Sequence, residues 1–136
     1  MSSRRKAREA AVQMLYQMDV CGVDAAQAIA LYWQNLGSAE DDQEFANMLV
    51  RGCGEAREQL DDKIRNVSKH WRLERMSRVD RNIIRLGAYE LLHVSEIPRR
   101  VTLNEAVELA KRFGNEESPA FVNGVLDRIA DDVAKD

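Results

Sequence analysis

Along nearly the whole of this 136-residue chain apolar residues recur three and four positions apart, the period of helices buried on one face and not the alternation of a strand. Only two prolines and seven glycines interrupt the pattern. The expectation is an all-α fold of seven helices forming one domain over residues 1–136. At this length folding hides roughly 68% of the surface the unfolded chain exposes, so a hydrophobic core suffices without disulfide or metal staples.

The apolar stripes divide the chain. Ala7, Ala11, Met14, Leu15 and Met18 make one face of a first helix that ends before Gly22. Ala25, Ile29, Tyr32 and Leu36 make a second, closed by Gly37. The acidic stretch Glu40 to Asp42 suits a helix N-terminus, where carboxylates meet the positive end of the macrodipole. From there Phe45, Met48, Leu49, Gly52, Cys53, Ala56 and Leu60 continue a third helix, and Ile64 and Val67 mark a short fourth ending near His70 and Trp71. Leu73 to Val94 is the longest periodic segment, its apolar face wide enough to be buried against several neighbours. Thr102 and Glu105 have the spacing of a capping box, with Gly114 as the helix stop. Ser118 and Pro119 read as the N-cap and first turn of the last helix, whose periodicity overrules the hairpin-like pair Asn123 and Gly124.

Charge is unevenly placed. Arg4, Arg5, Lys6 and Arg8 precede the first acid, so the opening eight residues carry +4 and the remainder −7, for a net −3. Cations in the first turn of a helix oppose its dipole, and neither propensity nor packing accounts for four of them. An anionic partner met at one place does, because the acidic body repels a polyanion laid across it; the plainer reading is a solvated tail. Arg4, Arg8, Val12 and Tyr16 follow at i+4 and make a stripe on which phosphates can lie.

Enzyme signatures are sparse. His70 and His93 lack metal-ligand spacing, and Gly52 and Gly54 follow no strand and have no third glycine. Cys53 falls on an apolar stripe, as a core thiol does, and Cys21 and Cys53 have no partner spacing for a zinc module. No cofactor is expected. The uncharged stretch Ala25 to Ala39 is too short and polar to cross a bilayer, and the basic start lacks a signal-peptide cleavage site, which points to the cytoplasm. Phe113 and Phe121 flank the polar loop Gly114 to Pro119 and sit slightly off their apolar stripes. Two rings beside one loop can stack unpaired bases while arginines hold the backbone; equally, each ring can close the helix pair as core.

Three blocks carry a resemblance. Arg4 to Gln17 reads R-R-K-A-R-E-A-A-V-Q-M-L-Y-Q, Asp80 to Leu92 reads D-R-N-I-I-R-L-G-A-Y-E-L-L, and Ile97 to Ile129 contains V-T-L-N-E-A-V-E-L-A-K-R-F-G and S-P-A-F-V-N-G-V-L-D. In that order they resemble the NusB family of bacterial transcription antitermination factors, closely over roughly half the chain and loosely between Val20 and Arg78.

The resemblance implies an all-helical fold of two small packed bundles and no catalytic activity. It implies binding of the single-stranded boxA element of nascent ribosomal RNA, together with the small-subunit ribosomal protein NusE, and entry into a complex with RNA polymerase and other Nus factors. By position, Arg4, Arg5, Lys6 and Arg8 match the family's arginine-rich RNA-binding segment, with Gln13 and Tyr16 on the same helix. Phe113, Glu117 and Phe121 match a second RNA-facing surface, and Arg81, Arg85, Tyr89 and Glu90 match the surface that meets NusE. Glu90 lies in line with Val79, Ile83 and Leu86, so it requires a pairing cation inside the chain or on NusE. Ala120 stands where many relatives have a lysine, which removes one phosphate contact, and Glu117 repels RNA unless it accepts from a base amino group. Competing readings are a helical protein–protein adaptor without RNA and, last, a small carboxylate hydrolase or a detached methyltransferase piece; a homodimer burying the arginine segment stays open.

Overall fold

The computed structural model describes residues 3–37 and 42–135. Among them are seven α-helices: α1 (Ser3–Cys21), α2 (Ala25–Asn35), α3 (Gln43–Glu55), α4 (Arg57–Val67), α5 (Arg78–His93), α6 (Arg99–Phe113) and α7 (Ser118–Asp132). A single 3₁₀ turn, Leu73–Arg75, precedes α5, and no strand occurs among the described residues. Helices α1, α2 and α3 pack together, as do α4, α5, α6 and α7, and α5 joins the groups by touching α1 and α3 as well. Met14, Leu49, Leu60, Ile64, Ile83, Leu86 and Leu126 are fully buried in one continuous core. No described helix is long and apolar enough to cross a membrane.

Local chemistry sets most helix ends. Gly22 takes a left-handed φ of 71° that an L side chain rarely adopts, and its amide donates to Met18 O at 2.9 Å, stopping α1. A reciprocal capping box starts α2: Gln27 N donates to Asp24 Oδ1 at 2.9 Å, and Asp24 N donates to Gln27 Oε1 at 3.1 Å. Of the acidic stretch expected at the third helix, Glu40 and Asp41 lie outside the described residues, while Asp42 accepts from Phe45 N at 3.1 Å.

Four expected boundaries differ from the structure. The third helix does not run through Leu60 but breaks at Ala56, where two nearby glycines make a change of direction inexpensive. The turn lets Leu60 and Ile64 enter the core from α4. The segment expected from Leu73 to Val94 divides, because Ser77 Oγ accepts from Asp80 N at 3.1 Å and starts α5 afresh; α1, with 19 residues, is the longest helix. The capping box at Thr102 and Glu105 does not form. Helix α6 begins a turn earlier after Pro98, and both side chains serve charged partners from other helices, which make stronger bonds than helix amides. Ser118 is the first helical residue of α7 and not its cap; Asn115 Oδ1 instead accepts from the amides of Glu117 at 2.9 Å and Ser118 at 3.2 Å.

Candidate nucleic-acid interface

The basic first turns of α1 divide into side chains that face outward and one that faces inward. Arg8 is 4% exposed and forms a bidentate pair with Glu90 of α5, Nε to Oε2 at 2.8 Å and Nη2 to Oε1 at 3.0 Å. Thr102 Oγ1 donates to the same carboxylate at 2.9 Å, and Lys135 Nζ donates to the backbone carbonyls of Glu90 and Val94 at 3.1 and 2.9 Å. The cation that Glu90 requires is therefore supplied inside the chain. This corrects the expectation that Arg8 contacts phosphate and that Glu90 meets a partner: both are interior, and their pairing fixes α1 on α5.

Arg5 lies nearer the surface. Its guanidinium donates to both oxygens of Glu105 on α6, at 3.1 and 2.7 Å. That hydrogen bonding holds the Glu105 carboxyl below its ordinary pKa, against the opposing effect of burial, with the charges of Arg5 and Arg8 adding to it. Arg4 is exposed and sits 4.2 Å from the centroid of the Phe45 ring, a cation–π contact that Arg8 shares at 5.2 Å. Lys6 is half-buried. The arrangement presents Arg4, Arg5 and Lys6 at the positive end of the α1 dipole, where anions bind favourably.

Farther along α1, Gln13 and Tyr16 are exposed and line a hollow of about 570 Å³ with Gln17, with Tyr32 and Asn35 of α2, and with Phe113. Gln13 Nε2 donates to Glu9 O at 3.2 Å and to Tyr32 Oη at 3.4 Å. Arg112 pairs with Glu9 at 3.3 Å and lies 5.4 Å from the centroid of the Phe113 ring. Since Arg5 meets Glu105 while Glu9 meets Arg112, α1 and α6 run in the same direction. The expectation that the two phenylalanines face one site requires correction. Both are half-buried, but Phe121 borders a different hollow and meets Trp71 edge to face, with centroids 6.3 Å apart and planes at 67°. Glu117 is exposed at the start of α7, between the two hollows in sequence. In the sequence Trp71 marks only the end of a helix, since a lone aromatic after a helix carries no periodic signal.

The residues expected to face a partner on α5 are also unequally placed. Arg85 is 4% exposed, with Nε and Nη2 bonded to Asp61 at 2.8 and 3.1 Å and Nη1 bonded to Asn82 at 3.2 Å. It is interior, which corrects its assignment to an exposed surface. Arg81 chelates Asp19 of α1 at 2.9 and 3.0 Å. Burial disfavours the Asp19 carboxylate, but hydrogen bonds from Arg81 and Asn82 and the nearby guanidinium charges outweigh it and lower its pKa. Tyr89 is half-buried; a Cβ at Gly52 would fall inside its ring, so that glycine admits the close approach of α3 and α5. Cys53 lies in the core, and burial drives its thiol pKa far above the ordinary value, leaving no thiolate for nucleophilic chemistry.

A NusB family model matches residues 5–131 of the chain. The transcription antitermination protein NusB of Sorangium cellulosum (strain So ce56) is 49% identical over 135 residues, which cover 99% of this chain and 96% of that protein. The solved structure of T. maritima NusB superposes with a TM-score of 0.84 at 40% identity, covering 96% of this chain and 93% of that one. A crystal structure of the antitermination factors NusB and NusE in complex with dsRNA superposes with a TM-score of 0.84 at 29% identity, covering 96% of this chain and 97% of that one.

Proposed function

The chain belongs to the NusB family, and on that premise we propose that it is a non-catalytic antitermination factor that binds the boxA element of nascent ribosomal RNA together with NusE. The observation that carries this reading is the surface along α1: three cations in its first turn, then Gln13 and Tyr16, ending at Phe113. Arg4, Arg5 and Lys6 neutralise phosphates, Gln13 offers an amide to a base edge, and Tyr16, Phe113 and Phe121 supply faces for unpaired bases. Arg5 exchanges a Glu105 oxygen for a phosphate oxygen at little net cost, since both are charge-assisted acceptors. Glu117 tempers affinity by repulsion.

Arg8 acts as a positioning residue, anchoring α1 through Glu90 so that the first turn is presented rigidly. Arg81 and Tyr89 border the α5 surface that we assign to NusE, with Arg85 holding that helix from beneath. The complex then joins RNA polymerase and other Nus factors in the cytoplasm.

Binding of boxA RNA, measured with NusE present against a scrambled strand and a duplex of the same sequence, tests the assignment. With about three phosphates neutralised, log affinity should fall against log salt with a slope of about −2 for a single strand. Replacing Arg4, Arg5 and Lys6 by alanine should bring that contribution close to zero. A slope unchanged by the triple replacement refutes it.

A further inference from the structure

Between the segment that follows α4 and the first turns of α7 lies a hollow of about 210 Å³ lined by Lys69, His70, Trp71, Phe121, Gly124 and Arg128, among others. Among the described residues no acid lines it. Arg5, Arg8, Arg57, Lys63, Arg81, Arg85, Arg99 and Arg112 each have a carboxylate within 4.0 Å, whereas Lys69 and Arg128, like Arg51, Arg75, Arg78 and Arg100, have no ion-pair partner among the described residues. A net-acidic protein thus keeps two cations beside a cavity with no carboxylate of the described residues paired to them.

The aromatic wall is equally open. Trp71 is 55% exposed, and its one ring contact among the described residues is the edge-to-face one with Phe121, which braces the indole without stacking on it. Opposite, Gly124 has nothing within 4 Å of the position a Cβ would occupy, so the wall it forms is free for a ligand. Flat apolar rings beside uncompensated cations are what single-stranded nucleic acid requires: bases stack on the rings and phosphates meet the cations. Phe121 lines this hollow, and the loop at 114–117 separates it in sequence from Phe113 of the other.

We propose that this hollow is a second nucleotide-binding site, in which Trp71 stacks a base of single-stranded RNA while Lys69 and Arg128 hold the adjoining phosphates. It lengthens the RNA path past the loop at 114–117, from Phe113 by way of Phe121 to Trp71. The inference rests on the RNA-binding reading of the chain and adds three residues to it.

The test uses the full chain with NusE and a single-stranded boxA RNA extended by several nucleotides at each end. In a Trp33→Phe background Trp71 is the sole indole, and the RNA should quench its emission along the same saturation curve that anisotropy of labelled RNA reports. In the unmodified background Trp71→Ala should weaken binding about five- to hundredfold, the range of one lost base stack. Lys69→Gln with Arg128→Gln should flatten the salt slope by about 1.4, two phosphates' worth. If these variants bind with unaltered affinity and slope while replacement of Arg4, Arg5 and Lys6 abolishes binding, the second site is overturned and the family reading stands. If the unaltered chain binds no RNA with NusE present, both are overturned. Quenching of Trp71 by NusE but not by RNA overturns the site in favour of a protein-docking surface.

Discussion

The start of α1 and the Trp71 hollow hold cations in opposite ways. On α1 every guanidinium beyond Arg4 is balanced: Arg5 by Glu105, Arg8 by Glu90 and, alongside them, Arg112 by Glu9. Around Trp71 the cations face a cavity that no acid of the described residues lines. The denser cluster in the sequence is thus the more neutralised one in space. A run of basic residues therefore measures neither available charge nor affinity. A buried pair spends its charge on holding helices in register, and a few unbalanced cations elsewhere can contribute as much to binding a polyanion.

The largest expected effect comes from breaking the balance at its most buried point. Glu90→Gln leaves the Arg8 guanidinium interior with a neutral partner, and chemical denaturation should show a loss of about 3–5 kcal/mol, the usual result of stranding one member of a buried pair. Replacing both, Arg8→Met with Glu90→Leu, should recover most of that loss. A double-mutant cycle with no coupling between the two positions would mean that the pair does not hold α1 on α5.

A smaller effect belongs to the half-exposed pair. The Glu105 pKa is lowered from 4.5 in the folded chain, so its contribution to stability is present above the unfolded value and is lost as pH falls through the folded one. Stability of the unaltered chain should decline as pH drops below about 4.5, and Glu105→Gln should remove part of that decline while lowering stability at neutral pH. A decline of the same steepness in the variant would assign the acid sensitivity to other carboxylates, Asp19 first among them, since its pKa is also depressed. The smallest effect is expected at the unbalanced end. Lys69→Gln with Arg128→Gln should leave the denaturation midpoint where it is, because neither cation has an acid to lose, and a clear destabilisation would show that these side chains serve the fold.

Much of the fold could be read along the chain because each helix declares its buried face locally. The stripe Ala7, Ala11, Met14 and Leu15 is buried as its spacing predicts, and seven α-helices are present among the described residues. Boundaries were less accessible. Thr102 and Glu105 satisfy a capping-box pattern, yet partners from α5 and α1 outcompete the helix amides. The glycines near Ala56 permit a break without requiring one, since what demands it is the path of α4, whose Asp61 bonds Arg85.

The candidate site divides along the same line. Residue types and spacing identify the basic turn, Tyr16 and the pair Phe113 and Phe121, because such side chains at those intervals have a chemistry of their own. Local sequence cannot tell Arg4 from Arg8, four residues apart and chemically identical, although one lies over Phe45 in solvent and the other is clamped to Glu90.

Helical periodicity, the count of helices, the burial of Cys53 and the placement of cations at the head of the chain were therefore determined by the amino-acid order alone, since they depend on interactions within a turn or on which face is apolar. Which cations remain available, which acids neutralise them and which aromatic rings stay in water were decided only by the packing of α5 against α1, α4 and α6 and by the approach of α7 to the segment after α4. The physical reason is range: a helix forms from contacts three and four residues apart, whereas the Arg8–Glu90 and Trp71–Phe121 contacts join residues that become neighbours only when the bundles close.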